Sequence, residues 1–363
     1  MRITVINGPN LNLLGTREPE VYGRDSLADL EQAWKSHGER RGIEVTTFQS
    51  NHEGALIDAI HAAAHDADGI VINPGAYAHT SYAIHDAIAA LQVPAVEVHI
   101  SDVKNREPWR ATSVVAPAAE SVIYGRGPRG YLNAIDHLWA MRAVPPTRMQ
   151  YGSSPDHVVD VRDVPDTRGT VVLIHGGFWR EKWTRDLMDP LAVALASEGW
   201  STANIEYRRG HGSLPASRED VRDAISAIAA SMAAPLIAVG HSAGGYLAID
   251  AGSFDAVHGV IALAPIIDID SLRANHPSGS QLAAAAGSSD DEWSLMPLAA
   301  PLSRTTIIHG EADDDIPMAH SDAFAESTDA ALIRLDAVTH MDVIDPDSAA
   351  FAVIVDALRE SSG

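Results

Sequence analysis

The sequence predicts an α/β protein made of two successive domains. Three observations carry that expectation. Short β-rich runs alternate with longer amphipathic stretches, as they do in parallel-sheet proteins. A length of 363 residues suits two hydrophobic cores better than one. A double-proline break, A-V-P-P-T-R-M-Q at 143–150, interrupts the alternation, which then restarts. Charge changes at the same place: residues 1–144 carry 12 Lys/Arg against 17 Asp/Glu, and residues 145–363 carry 14 against 32. The domains are therefore expected at 1–144 and 145–363.

In the first domain, β-branched runs predict strands near 3–6, 44–48, 69–72, 95–98 and 121–123. Amphipathic spacing predicts helices near 26–41, 53–65 and 81–91, with a closing helix near 129–142. Five strands and four helices in that order suit a flavodoxin-like five-stranded parallel sheet. In the second domain, strands are expected near 158–162 and 170–174, followed by alternating helices and strands up to a final helix near 348–359. Only 281–291 is compositionally biased, and it is expected to be a loop or short helix over a second active site.

Composition narrows the function. The chain has no cysteine, which removes disulfides, thiolate zinc sites and cysteine nucleophiles and fits a reducing cytoplasm. A predicted strand directly after Met1 leaves no room for a signal peptide, and no apolar run approaches the ~18 residues of a membrane span. A net charge of −23 opposes nucleic acid and anionic membrane as partners. The expectation is a cytoplasmic protein that handles small molecules.

Unusual polar residues of the first domain fall at the carboxyl ends of its strands, where open α/β sheets bind ligands. G-P-N at 8–10 follows the first strand, N-P-G-A-Y-A-H-T-S at 73–81 the third, and E-V-H-I-S at 97–101 ends the fourth. The loop after the first strand adds Arg17 and Tyr22. Phenol, with an ordinary pKa near ~10, is a poor base at neutral pH. A guanidinium beside the Tyr22 hydroxyl favours the phenolate, which can take a proton from carbon. Glu97 and His99 alternate onto one strand face, so the carboxylate can hold the imidazole as a proton donor. No metal-ligand spacing appears, no cofactor is called for, and the two lysines of this half, Lys35 and Lys104, lie off the rim.

The runs G-P-N-L-N-L-L-G-T-R-E-P-E-V-Y-G, Q-S-N-H-E-G, N-P-G-A-Y-A-H-T-S, E-V-H-I-S and N-R-E-P-W-R resemble type II 3-dehydroquinate dehydratase over nearly all of residues 1–142. That resemblance implies Tyr22 as base, Arg17 as its activator and His99 as the acid that protonates the departing hydroxyl. It implies that Asn10 holds a water against the enolate. It places Asn73, Ile100 and Ser101 at the substrate carboxylate and His79 and Arg110 at ring hydroxyls. Asp86 would reach into a neighbouring subunit of a dodecamer built from trimers. The catalytic positions all match; Arg126 stands where an apolar residue is usual. Residues 15–24 are expected to form a lid hinged at Gly15 and Gly23. A flavin-binding module is the competing class, but the loop after the first strand lacks a Ser/Thr-rich phosphate cradle.

In the second domain, G-H-S-A-G at 240–244 follows the apolar run L-I-A-V and precedes a helix. Small residues around Ser242 permit the sharp turn that presents a nucleophile. H-G-G-F-W at 175–179 follows a strand, so backbone N–H groups at Gly176 and Gly177, with that of Ala243, can bind an oxyanion. Asp313 and His340 follow later strands, giving the chain order Ser, Asp, His.

Residues 151–360 resemble the α/β-hydrolase superfamily, most of all its small esterases and kynurenine formamidase-like members. The likeness implies Ser242 as nucleophile, His340 as base and Asp313 as the orienting acid. Asp313 is preferred over Asp314 and Asp315 because it fits the G-x-x-D-x-x-V-P spacing, with Ile316 in place of valine. Trp179, Trp183 and Trp293 are candidates either for an acyl or aryl pocket or for the core. The whole chain is expected to be bifunctional, a 3-dehydroquinate dehydratase joined to a serine hydrolase of small esters or amides. The alternatives for the second domain are a non-catalytic hydrolase-like scaffold and an arylformamidase.

Overall fold

The computed structural model describes residues 1–287 and 303–362. It divides into two compact units, Met1–Arg142 and Ala143–Gly363.

The first unit runs β1 (Arg2–Asn7), α1 (Pro19–Tyr22), α2 (Leu27–Arg40), β2 (Glu44–Gln49), α3 (Glu53–Asp66), β3 (Gly69–Asn73), α4 (Tyr82–Ala89), β4 (Ala95–His99), β5 (Ser121–Tyr124) and α5 (Arg129–Ala143). Its sheet is parallel throughout, in the order β2-β1-β3-β4-β5. Strand periodicity splits the core between the two faces: Ile3, Val5 and Val71 pack on one side with Trp34, and Ile6, Ile70 and Ile72 pack on the other with Leu56 and Ile60. Helix α2 begins at a capping box, where the Asp29 amide donates to Ser26 Oγ and the Ser26 amide donates to the Asp29 carboxylate. The chain order reverses on either side of β1, so the loops after β1 and β3 open a crevice at the carboxyl edge.

The second unit runs β6 (Thr147–Gln150), β7 (Val158–Arg162), β8 (Thr170–Ile174), α6 (Asp189–Ser197), β9 (Ser201–Ile205), α7 (Leu214–Ala229), β10 (Leu236–His241), α8 (Ala243–Ala251), β11 (Val257–Leu263), α9 (Ile269–Asn275), α10 (Gly279–Ala286), β12 (Arg304–Gly310), α11 (Met318–Ser327), β13 (Ala331–Leu335) and α12 (Ala350–Ser361). Its eight-stranded sheet has the order β13-β12-β11-β10-β8-β9-β7-β6. The β6–β7 and β7–β9 pairs are antiparallel and the remaining pairs are parallel. The sequence predicts 143–150 as the domain break, whereas residues 147–150 form the edge strand β6, paired with β7. Four residues with one half-buried side chain, Met149, directly after two prolines leave too little periodicity to reveal it. Of the biased stretch 281–291, the part up to Ala286 is helical in α10 and the part beyond 287 lies outside the described residues.

Candidate active sites

At the carboxyl edge of the first sheet, Asn10, Arg17, Tyr22, Asn73, His79, His99, Ile100, Ser101 and Arg110 line one cavity of about 70 Å³. Glu97 sits behind it, fully buried, with Oε1 2.6 Å from His99 Nε2 and Oε2 accepting from Ser113 Oγ at 3.0 Å. That bond gives His99 Nε2 the proton and leaves its other nitrogen for the cavity. Ser113 was not legible in the sequence, because its loop acquires meaning only when it packs under β4. Asp86 does not line the cavity; it lies exposed on α4.

Two side chains of the cavity are fixed from behind. Asn73 Nδ2 donates to Tyr131 Oη at 2.9 Å and its Oδ1 accepts from the Gly75 amide, so the amide cannot flip without losing both bonds. Tyr131 Oη in turn donates to Asn7 Oδ1 at 2.7 Å, and burial pushes its pKa far above the ordinary phenol value. His79 Nδ1 lies 2.7 Å from the Thr112 carbonyl, which requires N–H at that position. Burial lowers the His79 pKa, so the ring is neutral near pH 7 and its Nε2 is an acceptor suited to a ligand hydroxyl.

The geometry around Tyr22 differs from the expectation. Arg106, not Arg17, donates to the Tyr22 hydroxyl, from Nη1 at 2.7 Å. Arg17 places its Cζ 5.3 Å from the Tyr22 ring centroid and its Nε 3.2 Å from Glu18. Burial works against the charge of Arg106, but Tyr22, Glu107 and Glu18 outweigh it and its pKa is raised. Arg106 lies within N-R-E-P-W-R, yet nothing local in that run shows that it meets a tyrosine 84 positions away. Helix α1, which carries Tyr22, is bracketed by Gly15 at φ 86° and Gly23 at φ 88°.

In the second unit, Ser242 follows β10 with φ 56° and ψ −115°, a strained conformation that turns the chain into α8. Glycines make the turn possible: a Cβ at Gly240 would overlap the Gly244 carbonyl, and one at Gly244 would overlap the Ile174 carbonyl. Ser242 Oγ is buried without a hydrogen-bond partner among the described residues. It shares a cavity of about 110 Å³ with His340, Gly177, Phe178, Trp183, Leu187 and Met341. Gly176 packs against Ser242 rather than lining the cavity, and Ala243 is the first residue of α8, with its amide at the helix N-terminus.

Asp313 Oδ2 accepts from His340 Nδ1 at 2.8 Å and from His309 Nε2 at 3.1 Å, while Oδ1 accepts from the Ile316 and Asp315 amides. Burial opposes its charge, yet the two imidazoles and the Ile316 amide hold the carboxyl well below its usual range. Asp314 and Asp315 are exposed. His241 Nε2, 2.9 Å from the His340 carbonyl, ties the two loops together.

The oxyanion loop is anchored by residues the sequence did not single out. His175 is fully buried, with Nε2 2.9 Å from Glu206 and its ring stacked on Tyr207 at 4.4 Å. Tyr207 Oη donates to the His175 carbonyl at 2.7 Å. Burial penalises the Glu206 charge, but His175, Arg209 and Arg185 keep its pKa lowered. Trp183 lines the cavity; Trp179 belongs to the core, edge-on to Tyr246 at 5.8 Å. Trp293 lies outside the described residues. Among the described residues, no cluster of three or more His, Asp or Glu is placed to hold a metal, and no helix is long and apolar enough to cross a membrane.

Comparison with known proteins divides the chain at the same level. Residues 1–139 match the family model for class II dehydroquinase, and residues 171–304 match that of an alpha/beta hydrolase family. The 3-dehydroquinate dehydratase of Dinoroseobacter shibae is 52% identical over 140 residues, which are 39% of this chain and 93% of the relative. Catabolic 3-dehydroquinase 1 of Neosartorya fischeri is 54% identical over 136 residues, 38% of this chain and 91% of the relative. The second unit shares its fold with a truncated carbohydrate esterase from gut microbiota, at a TM-score of 0.52 and 19% identity, covering 60% of this chain and 95% of that one. The chain therefore belongs to the type II dehydroquinases through residues 1–139, and carries behind that domain an α/β-hydrolase domain with the fold of esterases.

Proposed function

We propose that the chain is a bifunctional enzyme that dehydrates 3-dehydroquinate to 3-dehydroshikimate and hydrolyses a small ester or amide. The observation that carries the first activity is the meeting of the Arg106–Tyr22 contact and the Glu97–His99 pair in one cavity. Arg106 at the hydroxyl and Arg17 over the ring stabilise negative charge on Tyr22. Tyr22 takes the proton from the carbon beside the ketone, and the C–H electron pair becomes the enolate. Asn10 holds a water that donates to the enolate oxygen. When the enolate collapses, the carbon–oxygen bond two atoms away breaks, the new double bond forms, and a second proton, carried on His99 Nδ1 toward the cavity while Nε2–H stays on Glu97, passes to the departing hydroxyl, which leaves as water. Asn73, Ile100 and Ser101 bind the substrate carboxylate, and His79 and Arg110 bind ring hydroxyls. Closure of residues 15–24 about Gly15 and Gly23 excludes bulk water.

Sequence identity to the relatives named 3-dehydroquinate dehydratase and catabolic 3-dehydroquinase 1 supports this reading. Its test is ultraviolet detection of the conjugated product: the wild type turns over 3-dehydroquinate and Tyr22→Phe does not, whereas normal turnover by the variant rejects the assignment. We also propose the dodecamer of trimers in which Asp86 reaches a neighbour's site; a monomer by light scattering under assay conditions would contradict it.

For the hydrolase, Ser242 Oγ attacks the carbonyl while His340 takes its proton and passes it to the leaving alcohol or amine. Asp313 orients His340, and the amides of Gly176, Gly177 and Ala243 receive the oxyanion. Water then repeats the sequence and releases the acid. Strain at Ser242 and the Asp313–His340 bond support a working site over the scaffold alternative. A fluorophosphonate probe should label the wild type and not Ser242→Ala; an unlabelled wild type would favour the scaffold.

A further inference from the structure

The carboxylate of Asp313 is held by more donors than the positioning of one histidine requires. Oδ1 accepts from the Asp315 amide at 2.9 Å and the Ile316 amide at 2.8 Å, and Oδ2 accepts from His340 Nδ1 at 2.8 Å and His309 Nε2 at 3.1 Å. A carboxylate offers about four lone-pair sites, so each of them is taken. The side chain is 1% exposed.

His309 reaches Asp313 from the strand beneath it. It is the penultimate residue of β12, four positions before the carboxylate, and it is fully buried. The turn between them is fixed. The Asp313 amide donates to the Gly310 carbonyl at 3.2 Å, the Ala312 amide donates to the Val338 carbonyl at 3.1 Å, and a Cβ at Gly310 would overlap that same Val338 carbonyl. The segment leading to His340 therefore lies directly against the turn that carries Asp313.

Geometry also fixes where His309 keeps its proton. Nε2 faces two acceptors, Asp313 Oδ2 and the Ile316 carbonyl at 3.2 Å, so Nε2 carries the hydrogen. Nδ1 lies 2.7 Å from Ser321 Oγ on α11, and Ser321 is fully buried as well. A hydroxyl donates to a bare ring nitrogen, so Ser321 holds the ring in the tautomer that serves Asp313. A chain of donors, Ser321 to His309 to Asp313, thus ends on the same oxygen that receives His340.

That fourth bond changes how strongly the acid holds a proton. A buried carboxylate with an empty lone pair is the stronger base, and it pulls harder on the imidazolium beside it. Filling the site with a neutral N–H spreads the negative charge over two imidazoles, which leaves His340 freer to pass its proton to the leaving group. Burial works against the charge of Asp313, and among the contacts that overcome it the bond from His309 comes first.

We propose that His309 is a positioning residue of the hydrolase, fixing the Asp313 carboxylate and weakening its hold on the His340 proton, with Ser321 setting the His309 tautomer. This rests on the reading of Ser242 as a nucleophile. The other titratable or charged groups around this chain of bonds are His241, with its ring centroid 4.6 Å from that of His340, Asp315 and Arg180 in the cavity, and His320 on α11 with Asp268 beyond it. All of them stay in place when His309 alone is replaced.

The experiment follows the second-order rate of fluorophosphonate labelling at Ser242 against pH in the full chain, with His309→Gln and His309→Asn beside the wild type. The Gln amide nitrogen is as many bonds from Cβ as His Nε2 and can still donate to Asp313; the Asn amide nitrogen is only as far out as Nδ1 and cannot reach it. In the wild type the rate rises with pH as His340 loses its proton. His309→Asn should move this rising limb to higher pH by about half a unit or more, lowering the rate at the foot of the limb about threefold or more, and His309→Gln should keep the limb within about 0.2 unit of wild type. Circular dichroism and the limiting rate at high pH report that the site is still assembled. A limb that stays in place or moves to lower pH in His309→Asn, or one that moves equally in both variants, would overturn the proposal. Loss of labelling at every pH in both variants would overturn it too, because His309 would then serve the fold alone. A wild type that is not labelled at any pH would instead reject the serine-hydrolase reading, and the role of His309 with it.

Discussion

Two guanidiniums face Tyr22 and have different tasks. Arg106 touches the oxygen that would carry charge, and Arg17 meets the ring. Removing Arg106 takes away a direct hydrogen bond to a developing charge, an interaction typically worth about a hundredfold or more in rate. Arg106→Gln should therefore lower kcat for dehydration by about two orders of magnitude with the fold retained, measured by steady-state kinetics and circular dichroism. Arg17 lines the cavity, and Arg17→Ala should abolish turnover in the same assay with the fold retained. The candidate residues were legible because their motifs bring chemistry to strand ends, where an open sheet gathers it. Arg106, Ser113 and Glu206 were not, since each acquires its partner through tertiary contact. Asp313 supports a pH prediction. Its folded-state pKa is depressed, so its contribution to stability is fully present above the unfolded value of about 4 and fades as pH falls toward the folded value. The difference in denaturant stability between wild type and Asp313→Asn should hold steady from neutral pH down to about 4 and shrink below it; a difference that grows on acidification would contradict the charge assignment.

At the scale of elements, the turn from β10 into α8 tolerates almost no added volume. Gly244→Ala would force a methyl group into the Ile174 carbonyl, which is backbone and cannot rotate away. Overpacking of this kind costs about 1–3 kcal/mol, and because it displaces Ser242 it should also slow fluorophosphonate labelling. At the start of α2, Ser26→Ala removes one half of the capping box and should cost about 1 kcal/mol, seen as a lower denaturation midpoint for the first unit. The five strands and helices α2 to α5 of the first unit were legible from their apolar patterning, whereas α1, a single turn within the loop after β1, was not. Strand β6 was not, since an edge strand of four residues has only one side chain to bury and relies on β7 to define it.

At the scale of the molecule, each unit has a sheet, two core faces and a site of its own. Residues that define one chemistry are absent from the other, so the two activities should respond to separate lesions. In the full-length chain, Ser242→Ala should leave kcat for dehydration within twofold of wild type, and Tyr22→Phe should leave the rate of Ser242 labelling within twofold. A large cross-effect in either direction would show that the sites are coupled. The α/β class of both units was legible from alternation alone. The antiparallel corner of the second sheet was not, because strand direction is set by pairing partners rather than by local pattern.

Gly23 closes the segment that carries Tyr22 at φ 88° and ψ 179°, a region essentially reserved for glycine, and a Cβ there would meet nothing within 4 Å. Its handedness, rather than its size, is what the position demands. The mirror image of that conformation is ordinary extended backbone, so a D-alanine introduced by chemical ligation would sit comfortably where L-alanine is strained by about 1–3 kcal/mol. A single inverted stereocentre would thereby stiffen the loop without touching any contact, giving a way to separate its mobility from its chemistry.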